Sequence, residues 1–97
     1  MDTYNFYHGT SLENWNKIKQ EGVLWGRRYV TFNDEVKEVS RCTYLAINKE
    51  EAKQYGDVLL EVKYNPYDDK ENNNYTKDCW QIRVYSPISL NNVKRIQ

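Results

Sequence analysis

His8 is the only histidine in this 97-residue chain, and it stands in the run Tyr7-His8-Gly9-Thr10-Ser11. An imidazole is the side chain best suited to accept or exchange a proton near neutral pH. A short aromatic run (Tyr4, Phe6, Tyr7) that suits a β-strand ends in His-Gly, and Thr10-Ser11-Leu12-Glu13 then reads as a capping box opening a helix. A histidine at such a junction is expected to be exposed at the end of a strand, where ligands are usually met. The same residues also have a plain structural reading, in which Gly9 permits a turn, Thr10 caps the helix and His8 is an ordinary polar group. Cys42 and Cys79 are the only thiols, and they lie far apart with no CxxC or CxxH spacing. That pattern argues against a zinc site and against a disulfide-dense secreted scaffold, and it reads as two reduced thiols.

The length fits one small domain spanning residues 1–97. Lys plus Arg and Asp plus Glu both number 14, so no net field recruits nucleic acid or an anionic membrane, and either partner would need a local patch. Nine Tyr and three Trp supply side chains that fill a core and also stack on flat ligands. A disordered chain would lack them. No apolar run approaches the roughly 20 residues of a membrane span, and the N-terminus has neither the basic nor the apolar region of a signal peptide. A cytoplasmic location is expected.

The elements that must position these groups follow in order. Residues 4–7 form a strand, and a helix from about Ser11 to Glu21 carries Leu12, Trp15 and Ile18 on one core-facing side before Gly22 ends it. Tyr29 to Phe32 reads as a short extended piece, and Asn33 to Ser40 as a loop or short helix. Thr43 to Ile47 is a strand, and Asn48 caps a brief helix that carries Ala52 and Tyr55 and stops at Gly56. Asp57 to Tyr64 alternates cleanly, with Val58, Leu60, Val62 and Tyr64 on one face and Leu59, Glu61 and Lys63 on the other. Asn65-Pro66 breaks that strand, and Tyr67 to Asp78 reads as a solvated loop. Cys79 to Tyr85 is again a strand, with Trp80, Ile82 and Val84 opposite Gln81, Arg83 and Tyr85. Pro87 then precedes an edge segment, Asn92 to Ile96. Strands in runs with two short helices indicate an α+β fold.

Laid out this way, the chain resembles the ADP-ribosyltransferase superfamily, on the branch that includes diphtheria toxin and the poly(ADP-ribose) polymerases. Tyr7-His8-Gly9-Thr10, followed by Ile18 and Glu21-Gly22-Val23-Leu24, is similar to that family's His-Gly-Ser/Thr, helix and Gly-Leu turn. Tyr44-Leu45-Ala46, with Ala52 and Tyr55 downstream, resembles its Tyr-Phe-Ala with a later Ala and Tyr. Val84-Tyr85-Ser86-Pro87-Ile88 resembles the strand that carries its catalytic glutamate. The three stretches occur in the family's order and span nearly the whole chain. The resemblance implies a split β-sheet with two short helices.

It also implies NAD as a substrate and no metal. His8 would hydrogen-bond a ribose hydroxyl, the Gly9 backbone would hold the nicotinamide carboxamide, Tyr44 would stack on the nicotinamide ring and Tyr55 would close its other face. Thr10 would border the same site, although it reads better as a helix cap. The family's catalytic acid falls here on Gln81, which can hydrogen-bond a ribose hydroxyl but cannot take a proton from an acceptor. Asp78, three residues earlier, and Glu61, on the central strand, are the other candidates for that acid. The catalytic set implied by the resemblance is His8, Tyr44 and Gln81.

Three functions follow as expectations. One is a mono-ADP-ribosyltransferase that modifies a host protein or other macromolecule, of the compact kind that suits a phage or mobile-element effector, an inference from size alone. Another is a binding module that kept the fold and lost the chemistry, sequestering a nucleotide or inhibiting a host protein. The last is an RNA 2′-phosphotransferase relative, which needs several basic residues around a phosphate. Arg27, Arg28, Arg41 and Arg83 would have to supply them, and nothing in their spacing brings them together.

Overall fold

The computed structural model describes residues 4–26, 29–38, 41–76 and 79–97. In chain order the elements are β1 (Tyr4–Thr10), α1 (Leu12–Glu21), β2 (Val23–Leu24), β3 (Tyr29–Phe32), β4 (Glu35–Glu38), β5 (Thr43–Ala46), α2 (Lys49–Lys53), β6 (Val58–Tyr64), β7 (Gln81–Val84), β8 (Ile88–Ser89) and β9 (Val93–Arg95). Five strands form an antiparallel sheet in the order β7-β5-β1-β6-β9, while β2 pairs with β8 and β3 with β4. With two short helices beside a mostly antiparallel sheet, the fold class is α+β, as the element pattern indicates.

The alternation in β6 explains where the core lies. Val58, Leu60 and Val62 turn to one face of the sheet and join Phe6, Leu24, Leu45, Ile82, Val84 and Ile88 in the main core. Leu59 turns the other way and packs with Ala46 and Ala52 beneath α2. Each buried Val or Leu of β6 contributes roughly 1.5–3 kcal/mol by leaving water, so β6 anchors both faces at once.

The sheet is unevenly joined. β1 pairs with β6 along its whole length, from Tyr4–Tyr64 to Thr10–Val58. It pairs with β5 only at Tyr7–Ala46. Beyond that point β1 and β5 have no ladder between them, and the sheet is divided into β7-β5 and β1-β6-β9. The divided end holds His8, Gly9 and Thr10 on one side and Thr43 and Tyr44 on the other.

Several sequence-based expectations are corrected here. β1 does not stop at Tyr7 but runs through Thr10, so His8 lies within a central strand rather than at its exposed end. Because the pairing of Thr10 with Val58 claims Thr10 for the sheet, the helix cap moves on by one residue. Ser11 is the N-cap, its side-chain oxygen accepting the Asn14 N–H at 3.1 Å, and Thr10 is buried. Leu12 begins the helix on its exposed side (54% exposed), leaving only Trp15 and Ile18 to pack on the core. Gly22 closes the helix in the left-handed conformation (φ 84°), with its N–H bonded to the Ile18 carbonyl.

In the segment expected to be a loop or short helix from Asn33 to Ser40, the described residues turn at Asn33-Asp34 and continue as β4, the second half of a hairpin. Asn33 and Asp34 both have positive φ (50° and 62°), the conformation that a tight two-residue hairpin turn requires and that Asn and Asp tolerate. Trp80, expected on the core face beside Ile82 and Val84, is 54% exposed because the sheet ends there.

The described part of the segment after Asn65, expected to be solvated, is tied down. Asp69 accepts hydrogen bonds from the Tyr64 hydroxyl (2.8 Å), the Asn72 amide (2.7 Å) and the Ser86 hydroxyl (2.7 Å). The Asn73 amide donates to the Pro66 and Asp69 carbonyls, and its oxygen accepts the Tyr75 N–H. Asn73 bridges to Val84, and Asn74 accepts the Arg83 N–H, so this segment covers the outer edge of β7. Burial pushes the Asp69 carboxyl up, but the bonds from Asn72, Ser86 and Tyr64 outweigh it and hold the group below its ordinary value. Tyr64 is pushed the other way, by burial first and then by its bond to Asp69.

Candidate functional site

His8 closes the gap between the divided strands. Its Nδ1 lies 2.8 Å from the Tyr44 carbonyl oxygen. A carbonyl only accepts, so Nδ1 carries the proton and Nε2 is left as an acceptor. Burial lowers the imidazole below its ordinary value of 6.5, and the bond to Tyr44 opposes this without cancelling it. The ring is therefore neutral at neutral pH, with one nitrogen committed and the other available to a hydroxyl donor.

Two cavities meet at this histidine. A small one of about 130 Å³ is lined by Tyr7, His8, Gly9, Tyr44, Ala46, Ala52, Tyr55 and Gln81. A larger groove of about 930 Å³ runs from it along α1 toward Trp25 and Gly26, a size ordinary for small-molecule sites. His8, Gly9, Tyr44 and Tyr55 border both. The small cavity, the inner chamber, thus shares with the groove a wall of one imidazole, one glycine and two tyrosines.

Each wall has a local cause. Gly9 lets α2 lie against β1, since a Cβ there would overlap the Ala52 carbonyl. That close approach brings Tyr55, just past the end of α2, beside the chamber. Tyr44 stands on β5 next to the gap, 43% exposed, and Tyr55 is 57% exposed. Gln81 enters from β7, where it pairs with Ala46 and alternates with the buried Ile82.

The residues singled out from the sequence are brought together here: His8, Gly9, Tyr44, Tyr55 and Gln81 around the chamber, and Thr10 on the groove wall. Glu61 is not among them. It lies in mid-strand between Tyr7 of β1 and Lys94 of β9 and lines neither cavity. Asp78, Arg27 and Arg28 lie outside the described residues. Arg83 is exposed on β7 and lines neither cavity. Among the described residues, no carboxylate lines the inner chamber, and Glu21 is the only one on the groove.

What the sequence did not expose is the far end of the groove. There Arg41 lies over the Trp25 ring, 4.0 Å from its centroid. It also forms an ion pair with Glu21 at 2.6 Å and donates to the Trp25 carbonyl at 2.9 Å. Arg41 and Glu21 are 20 residues apart, and no local spacing rule links them.

Comparison with known proteins adds no relative. No family model matches the chain, and no curated protein or solved structure is similar to it.

Chemically, the chamber offers aromatic walls, a neutral imidazole acceptor and a side-chain amide, with no charged group on its lining among the described residues. Such groups can hold a flat polar ring and accept from a hydroxyl. Among the described residues, no group of three or more His, Cys, Asp and Glu could hold a metal ion.

Proposed function

We propose that this protein binds NAD and acts as a mono-ADP-ribosyltransferase toward a host macromolecule. The observation that carries the reading is the sharing of His8, Gly9, Tyr44 and Tyr55 by two cavities, with Gln81 lining the smaller one alone. Nicotinamide fits the chamber by chemistry, stacked against tyrosine, with the rest of the dinucleotide along the groove. In the reaction the bond between the nicotinamide nitrogen and the ribose C1′ breaks, and its electron pair leaves with neutral nicotinamide. An acceptor nucleophile then bonds to C1′ and loses its proton. The His8 Nε2 orients the ribose by accepting from a hydroxyl, and the Tyr44 carbonyl keeps the imidazole in the required tautomer.

One observation favours a second reading. The chamber lining includes the amide of Gln81 and, among the described residues, no carboxylate, whereas a transferase gains from an acid that stabilises the developing positive charge on the ribose. A protein that binds the dinucleotide without cleaving it would have no need of one. Incubation of the protein with NAD labelled in its adenylate half, plus host lysate, separates the two. Label on a macromolecule together with released nicotinamide, both lost in His8→Ala, is the transferase outcome. Saturable NAD binding with neither product is the binder outcome, and no binding at all would overturn both.

A further inference from the structure

The far wall of the larger groove is not itself a strand of the main sheet, although Thr43 of β5 helps to hold it. It consists of Trp25 and Gly26, which follow the short strand β2, and it faces Asn14, Lys17, Ile18 and Glu21 of α1. Three contacts fix it without Arg41: the Gly26 N–H donates to the Thr43 hydroxyl at 2.9 Å, the Trp25 indole N–H donates to the Tyr85 carbonyl at 3.1 Å, and Leu24 pairs with Ile88. Arg41 adds the remainder. Its guanidinium stacks on Trp25, donates to the carbonyls of both Trp25 and Gly26, and pairs with Glu21 at the end of α1. The Arg41 side chain is 17% exposed and that of Glu21 30%, so this cluster is shielded well beyond an ordinary surface pair. A planar fork that stacks and bonds in several directions is something lysine cannot reproduce.

We infer that Arg41 is a positioning residue for the groove: it fixes the Trp25–Gly26 wall against α1 and so sets the affinity for the part of a dinucleotide that lies outside the inner chamber. The ligand named here rests on the NAD reading, while the wall does not. Arg41 touches two segments that line the groove, the end of α1 at Glu21 and the Trp25–Gly26 turn, and none of these three residues lines the chamber. Loosening it therefore widens one cavity and leaves the other intact.

Two measurements on wild type, Arg41→Lys and Arg41→Ala test this. The first is amide hydrogen exchange. Arg41→Ala is expected to lower protection of the Gly26 amide by tenfold or more while β1 and β6 amides keep theirs, with Arg41→Lys in between. Unchanged protection at Gly26, or an equal loss throughout the sheet, would overturn the inference whether or not NAD binds. The second is calorimetric titration with NAD, ADP-ribose and nicotinamide. Arg41→Ala is expected to weaken NAD and ADP-ribose by tenfold or more and leave nicotinamide unchanged. A parallel fall for all three, or unaltered NAD affinity, would overturn the assigned role. Failure of wild type to bind any of the three would overturn the NAD reading and the dinucleotide half of the inference with it, and the exchange result would still decide whether Arg41 holds the wall.

Discussion

His8 and Tyr44 are joined across the gap between β1 and β5 by one hydrogen bond, from Nδ1 to the Tyr44 carbonyl oxygen at 2.8 Å. This bond spans the divided end of the sheet where the β1–β5 ladder, present only at Tyr7–Ala46, has ended. It also fixes which imidazole nitrogen is committed to the backbone and which is left as an acceptor. The same interaction thus ties the divided sheet and sets the chemistry of the site.

Replacing His8 by Ala removes that bond and the Nε2 acceptor together. Global stability is expected to fall by about 1 kcal/mol, the usual net worth of one hydrogen bond, measured by denaturant unfolding. NAD binding by calorimetry is expected to fall by much more, at least tenfold. A stability loss with unchanged NAD affinity would reduce His8 to a structural role.

Acid should destabilise the protein through His8. Its folded value lies below the ordinary 6.5 because of burial, so as pH falls through 6.5 the unfolded chain takes up a proton that the folded protein does not. Stability from this group is therefore full above 6.5 and is lost progressively below it. Unfolding curves between pH 7.5 and 5 should show the decline in wild type and a smaller one in His8→Asn.

Gln81→Glu supplies the missing carboxylate to the inner chamber. If the chamber holds nicotinamide riboside, release of nicotinamide should rise at least about tenfold, toward the low end of what a placed acid or base contributes. Unchanged release with NAD still bound would place the reacting carbon elsewhere.

Gly9→Ala would drive a methyl group into the Ala52 carbonyl. Moving α2 away is expected to cost about 3 kcal/mol, as overpacking does, and to displace Tyr55 from the chamber. Thermal unfolding and NAD titration should both report the change, whereas Gly22→Ala, in open space but at φ 84°, should affect stability only.

Asp69→Ala leaves the Tyr64, Asn72 and Ser86 donors without their common acceptor. A loss of about 2–4 kcal/mol is expected, since bonds to a charged acceptor are the stronger ones, and it should be read by urea unfolding. The wild-type carboxyl sits below 3.8 despite its burial, because those three bonds outweigh the desolvation. Its contribution is therefore present above 3.8 and fades as pH drops below that value, a fade that Asp69→Ala should not show.

Local physics made much of this protein legible from its residues. The alternation in β6, the Asn48 cap, the Gly22 stop and the α+β class each follow from short-range rules of period, capping and conformational freedom. His8 stood out as the lone histidine, and Gly9, Tyr44, Tyr55 and Gln81 only through the family resemblance, and nothing in one sequence places them around one cavity. Tertiary structure decided the rest. Thr10 could have capped the helix by local chemistry, but pairing with Val58 took it into the sheet and left the cap to Ser11. The asparagine run looked solvated because isolated amides prefer water; nearby Asp69 folds the segment locally, and the tertiary fold adds the Tyr64 hydroxyl of β6 as a partner of Asn73 and lays the segment's backbone against Val84 of β7. Arg41 stood out only as one of four arginines that a phosphate site would need, with no spacing that linked it to Trp25 or Glu21. Its stacking on Trp25 and its ion pair with Glu21 exist because chain crossings bring together residues that sequence separation keeps apart, and no spacing rule reaches that far.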